Sequence, residues 1–172
     1  MNHTPITCSL GRTFGCVLGV LVLSLLGLPG ARGQTYVGVG RAVLDGDTVQ
    51  LLRETGQIVQ VELYGIDAPE MGQPYGVEAA QTLRRTIIQK RVRAVAEGRG
   101  ENGRPLFLLR VGDRGVNAQL VRKGLAWWDR RQAAHEDRFR RLEQGARAAE
   151  RGLWKAPNPV PPWKWRARKE NS

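Results

Sequence analysis

Beyond its first thirty-three residues, the chain opens with alternating positions. Tyr36 to Val43 alternates weakly, Thr48 to Leu52 can return antiparallel to it, and from Val59 the alternation is regular. Val59, Val61 and Leu63 share one face, while Gln60, Glu62 and Tyr64 share the other, the period of a half-buried strand. Asp45-Gly46 and Thr55-Gly56 mark the intervening turns, so these three segments predict an antiparallel meander. The period then changes. Pro74 to Lys90 carries Ala79, Ala80, Leu83 and Ile87 at helical spacing. Val92 to Ala96 and Leu106 to Val111 predict two more strands, separated by a loop containing Gly98, Gly100 and Gly103. Val116 to Lys123 predicts a short helix with Gly124 as its stop, and His135 to Glu150 a third helix whose stripe is Phe139, Leu142, Ala146 and Ala149.

Five short strands with a helix between the third and fourth predict an α+β, mainly β fold: a five-stranded barrel of the oligonucleotide-binding (OB) type with three helices. At 172 residues and 41% hydrophobic content the chain supports one core of ordinary size. The ends stand apart from it. Arg12, the fifteen-residue run FGCVLGVLVLSLLGL (Phe14 to Leu28), the break at Pro29-Gly30 and the small residues Ala31 and Gly33 describe a secretory signal peptide over 1–33. The run is shorter than the ~20 residues a bilayer span needs. The expectation is therefore an exported protein, periplasmic or secreted, without stable membrane association after cleavage, and monomeric. Both cysteines, Cys8 and Cys16, fall in this segment, so no thiol chemistry is expected of residues 34–154. Residues 155–172 hold Pro157, Pro159, Pro161, Pro162, Trp163 and Trp165, and predict an extended basic tail packed on the domain by its tryptophans.

Charge narrows the partner. The formal net charge is +11, and 25 basic against 16 acidic residues remain after residue 33, +9. Such a surplus favours a polyanion, nucleic acid first. Against this background two acidic turns stand out: Asp45-Gly46-Asp47-Thr48, and Gly65-Ile66-Asp67-Ala68-Pro69-Glu70 at the end of the third strand. Pairing of the second and third strands brings these turns together, so Asp47, Asp67 and Glu70 are expected to converge. Three carboxylates repel one another unless a cation lies among them, and oxygen-only donors select Ca²⁺ or Mg²⁺. Ca²⁺ is preferred for an exported protein. His135, at a helix start with no acid or nucleophile motif around it, reads as structural.

The stretches VLDGDTVQL, ELYGIDAPE, GQPYGVEAA, NGRPLFLL, VNAQLVRKGLAWW and GLWKAPNPVPPWKW, spread over Val39 to Trp165, resemble the staphylococcal nuclease (thermonuclease) family. The resemblance implies Ca²⁺-dependent hydrolysis of phosphodiester bonds in single- or double-stranded DNA and in RNA, leaving 3′-phosphate ends. It implies Asp47 and Asp67 as metal ligands, with the main-chain carbonyl of Ala68 as a third. It implies Glu70 as the general base toward water and Arg104 as one of two arginines that clamp the scissile phosphate. The other arginine is expected five residues before Asp67, where this chain has Glu62, a bidentate donor replaced by an anion. Asn102 also stands where a tyrosine often precedes Arg104, and Trp127 and Trp128 are the nearest candidates for base stacking. Two readings of Glu62 stay open. Another arginine, Arg84 or Arg85 on the first helix, enters the site and cleavage survives at full or reduced rate; or the chain is a catalytically inactive OB module that binds nucleic acid by a basic groove. An exported adaptor domain is the weaker third reading.

Overall fold

A computed structural model describes residues 33–100 and 103–170. The signal peptide expected over 1–33 therefore lies outside the described residues apart from its last position, as do Asn102 and both cysteines. Among the described residues, no helix is long and apolar enough to cross a membrane.

Strands β1 (Thr35–Val43), β2 (Thr48–Arg53) and β3 (Ile58–Leu63) form the expected meander. After the two-residue β4 (Ile66–Asp67) and helix α1 (Gly76–Ile87) come β5 (Arg91–Arg99) and β6 (Pro105–Val111). The sheet order is β3-β2-β1-β5-β6, and a parallel β3–β6 pairing, Glu62 with Leu106 and Leu63 with Phe107, closes it into a five-stranded barrel. Closure removes the sheet edges that would otherwise present unpaired backbone. The short β7 (Arg114–Gly115), helix α2 (Val116–Arg122), β8 (Trp127–Trp128) and helix α3 (Asp137–Ala148) follow. β8 pairs with β4, Ile66 opposite Trp128 and Asp67 opposite Trp127.

The period-two reading of β3 holds in the packing. Val61 and Leu63 are buried with Val49, Leu51, Val92, Ala94, Phe107 and Leu109 inside the barrel. The α1 stripe of Ala79, Leu83 and Ile87 and the α2 residues Leu120 and Val121 cover it. One of the buried polar side chains among the described residues links this core to the strands around it. Asn117 donates from Nδ2 to the carbonyls of Tyr64 (2.9 Å) and Phe107 (3.0 Å), and its Oδ1 accepts from the Leu109 N–H (3.0 Å). It thereby ties the end of β3 and the middle of β6 to α2, which fixes the exit of β3 from which the second acidic turn departs.

The helix count exceeds the expectation by one, and the tail is not extended throughout. A 3₁₀ turn at Gly152–Lys155 precedes helix α4, Pro162–Glu170. Proline is compatible with the first helical position, where its missing N–H has no intrahelical partner to lose. The prolines therefore delimit this helix without preventing it. Trp163 meets Trp127 edge-on at 5.7 Å between ring centroids, so α4 is held against the domain by one of the tryptophans that the tail was expected to use.

Asn117→Leu should destabilise the fold by about 2–3 kcal/mol, because it removes the side-chain partner of the Tyr64 carbonyl and of the Leu109 N–H in a buried setting. Denaturant unfolding followed by far-UV circular dichroism checks this; a loss below about 0.5 kcal/mol would show that the triple hydrogen bond does not hold the β3–β6 closure.

Candidate active site

The two acidic turns are built by different devices and locked together. In the first, Asp45 Oδ1 accepts from the N–H groups of Asp47 (3.0 Å) and Thr48 (2.6 Å), the Asx turn that opens β2. Asp47 is thereby aimed at the second turn, where its Oδ2 accepts from the Ala68 N–H at 2.6 Å. Gly46 lets the turns approach: a Cβ there would lie 2.5 Å from the Ala68 Cβ. The second turn is set by β4–β8 pairing, by the Asp129 N–H bond to the Gly65 carbonyl (3.0 Å), and by Gln132 Oε1, which accepts from the Gly65 N–H (3.1 Å). Gly65 has φ +72, and a Cβ there would meet the Phe139 ring at 2.7 Å. Glu70 follows, its N–H bonded to Gln73 Oε1 (2.8 Å).

These turns face a cleft of about 330 Å³ lined by Asp45, Asp47, Glu62, Asp67, Glu70, Arg104, Arg131 and Arg166, among others. Of the residues expected at the site, Asp47, Asp67, Ala68, Glu70 and Arg104 all line it, and so does Glu62, which pairs with Thr48 across β2–β3. Arg84 and Arg85 do not. Arg85 donates to Thr82 Oγ1 (3.0 Å) and borders a separate groove with Lys90 and Arg114, because α1 turns its arginines away from the barrel mouth. Trp127 and Trp128 are 8% and 7% exposed. Trp127 packs on Trp154 and Trp163, and the Trp128 indole N–H donates to the Ala133 carbonyl (2.9 Å). Neither lines the cleft; both border a neighbouring pocket with Arg130, Trp163 and Arg131, the last of which the two cavities share.

Two cleft arginines escaped the sequence reading. Arg131 is fixed by Asp129, which accepts from its Nε (3.1 Å) and Nη2 (3.0 Å), and its Nη2 lies 3.8 Å from Asp67. Arg166, from α4, donates through Nη1 and Nη2 to both oxygens of Asp67 (3.2 and 2.8 Å) and through Nη1 to Glu70 Oε1 (2.7 Å). The tail is anchored nearby, with Gln73 Nε2 donating to the Val160 carbonyl (3.0 Å). The one sequence signal for Arg166 was its place directly after the tail's Pro161-Pro162-Trp163-Lys164-Trp165 run; its partner Asp67 lies 99 residues earlier.

The expected convergence of three carboxylates needs correction. Among the described residues, no three or more His, Cys, Asp and Glu side chains stand together as a metal-holding group. Glu70 is engaged by Arg166, so the carboxylates fall into two overlapping sets, Asp47 with Asp67 and Asp67 with Glu70, instead of one triad. Within the first set the charge is uncomfortable. Burial, then the adjacent Asp45 carboxylate, push the Asp47 carboxyl well above the usual carboxylate range, against the Ala68 N–H. Burial raises Asp67 too, by more than its Arg166 hydrogen bonds lower it. Five carboxylates and three guanidinia line the cleft, a formal surplus of two negative charges. All the anionic donors are oxygens, a set suited to a hard dication shared by two carboxylates and a main-chain carbonyl.

The comparisons agree with this architecture. Residues 60–156 match the family described as staphylococcal nuclease homologue. A protein named "uncharacterized endonuclease" from Escherichia coli is 37% identical over 150 residues, covering 87% of this chain and 96% of its own. The "micrococcal nuclease" of Shigella flexneri is 31% identical over 163 residues, 89% of this chain and 90% of its own. "Protein ParB" of Escherichia coli is 35% identical over 164 residues, 90% and 89%. With its barrel, its two locked acidic turns and these matches across most of its length, the chain belongs to the staphylococcal nuclease homologue family.

Proposed function

We propose that the protein is an exported, Ca²⁺-dependent nuclease that hydrolyses phosphodiester bonds of DNA and RNA and leaves 3′-phosphate ends. The observation that carries this reading is the single cleft in which the DGDT turn, the IDAPE turn and Arg104 meet. Family membership and the endonuclease names of its relatives support nuclease activity at the general level. Asp47, Asp67 and the Ala68 carbonyl would hold the ion, whose electric field, when bound, polarises a phosphate oxygen. Glu70 lies beside Asp67 and accepts the proton of the water that attacks phosphorus in line. The P–O5′ bond breaks, and the 5′-oxygen takes a proton from solvent. Arg104 faces the non-bridging oxygens and stabilises the charge that grows on them. The long-range attraction that draws the polyanion belongs to residues 34–172 as a whole, at +9, while the cleft lining itself is acidic.

A second reading, a nucleic-acid-binding OB module without cleavage, is favoured by Glu62 standing in the cleft with Arg104. A carboxylate there repels a phosphate, and an arginine that stabilises a phosphoryl-transfer transition state is worth on the order of 10³–10⁵ in rate. Digestion of labelled single-stranded DNA separates the readings: cleavage with Ca²⁺ and none with chelator supports the nuclease, and salt-sensitive retention without cleavage under both conditions supports the module.

Asp47→Asn should abolish cleavage, about 10³-fold or more by the same electrostatic argument. It should also raise the thermal midpoint in chelator by a few degrees, because it removes a buried charge crowded by Asp45 and Asp67. Differential scanning calorimetry beside the digestion assay reads both effects, and a lowered midpoint contradicts the crowding argument. Glu62→Arg should raise kcat/KM by about tenfold or more if the cleft lacks a phosphate-facing guanidinium. An unchanged rate in a steady-state assay would mean that an arginine already present fills that role.

A further inference from the structure

Arg166 occupies the carboxylates on which the proposed chemistry depends. Its guanidinium takes both oxygens of Asp67 and one of Glu70, so it engages the proposed ion's carboxylate and the proposed base at once. Bidentate contact of this kind is directional as well as charge-assisted, and it fills the lone pairs that a dication would need. The guanidinium is delivered by a folded element. Trp163, one turn earlier on α4, packs on Trp127, and the segment before the helix is bonded through the Val160 carbonyl to Gln73, whose own Oε1 holds the Glu70 N–H. The same residue, Gln73, therefore positions both the base and the tail that covers it.

We propose that α4 is a cation-released latch. Arg166 closes the site by pairing with Asp67 and Glu70, and a dication entering between Asp47 and Asp67 displaces it, freeing Glu70 and opening the cleft to the nucleic acid. This rests on the functional reading above. The balance favours exchange. Arg166 and Glu70 side chains are 45% and 36% exposed, so solvent screens their pairing; the Asp67 side chain is 9% exposed, and there a monovalent guanidinium is replaced by a divalent charge in a cleft whose lining carries a formal surplus of two negative charges. Arg131 supplies the internal comparison. It too places a guanidinium near Asp67, at 3.8 Å, but it is fixed to Asp129 within the domain and does not belong to the tail.

The experiment is calorimetric titration of Ca²⁺ into the wild-type protein, Arg166→Ala and Arg131→Ala, together with hydrogen exchange of the α4 amides with and without Ca²⁺. The latch predicts that Arg166→Ala binds Ca²⁺ about five- to tenfold more tightly, the gain expected from removing a partly exposed competing ion pair, and Arg131→Ala less than about twofold more tightly. It also predicts that saturating Ca²⁺ speeds exchange across residues 162–170 of the wild type. Equal tightening in both variants would assign the effect to general charge and overturn the latch, as would unchanged affinity in Arg166→Ala or unchanged α4 protection. Arg166→Lys, which keeps the charge and loses the fork, should fall between wild type and Arg166→Ala. If neither wild type nor Arg166→Ala binds Ca²⁺, the functional reading itself fails and the latch with it, an outcome distinct from binding with equal affinity.

Discussion

The contact between Asp47 and the Ala68 N–H is the interaction through which barrel and site become one structure. It joins a turn at the head of β2 to a turn at the foot of β3, and at 2.6 Å it leaves no slack. Gly46 is the residue that makes it possible, since a side chain there would collide with Ala68. A carboxylate satisfied by a backbone N–H is partly compensated for its burial, yet Asp45 and Asp67 lie close enough to raise its proton affinity. The fold therefore holds two acids together at an electrostatic cost that a hydrogen bond reduces but does not cancel. A hard cation between the two acids would relieve that residual repulsion.

Barrel closure supports this arrangement from behind. The β3–β6 pairing begins at Glu62 and Leu106, just after Arg104 on β6's approach, so the same register that seals the barrel sets Glu62 and Arg104 on one rim. Asn117 secures that rim by bonding to Tyr64, Phe107 and Leu109. A side chain far from any phosphate thus controls the separation of those that face it. Glu143 plays a comparable part behind β8. Buried, it accepts from the Trp128 N–H (3.2 Å) and pairs with Arg147 (3.5 Å), whose guanidinium lies over Trp154. The tryptophans at 127 and 128 are thereby committed to holding β8 against β4, and through β4 to holding Asp67.

What the sequence disclosed divides along the range of the interactions. Strand parity is local, so the faces of Val61 and Glu62 were legible, and the two acidic turns were brought together by a pairing of neighbouring strands. The α1 stripe was legible for the same reason: its apolar spacing is a property of twelve consecutive residues. The partners of Asp67 were not. Arg166 lies 99 positions away on a helix that the run of prolines disguised, and Arg131 is aimed by an Asx-type contact to Asp129 that no periodicity announces. The burial of the aromatic pair at 127 and 128 was not legible, because it depends on α3 and on the tail, elements that meet only in the folded chain. The convergence of Asp47, Asp67 and Glu70 was legible in outline, yet its division into two sets depended on an arginine that the tail supplies.

The two sets also explain why a basic protein carries an acidic cleft. Attraction of a polyanion is a long-range effect and is served by basic residues spread over strands, loops and helices alike, with clusters on α3 and α4. Cleavage is a short-range effect and requires charges of both signs within one cleft, because a phosphate must be gripped while a water beside it loses a proton. A uniformly basic pocket would bind the linkage and leave no base; a uniformly acidic one would repel it. Asp47, Asp67 and Glu70 are matched in number by Arg104, Arg131 and Arg166, and with Asp45 and Glu62 the lining keeps a formal surplus of two negative charges that a dication would offset. In its absence the nearest available cation is a guanidinium of the chain itself, and the geometry of α4 supplies one at hydrogen-bonding distance. The self-contact at Arg166 and the capacity for a dication are therefore two consequences of one excess of negative charge.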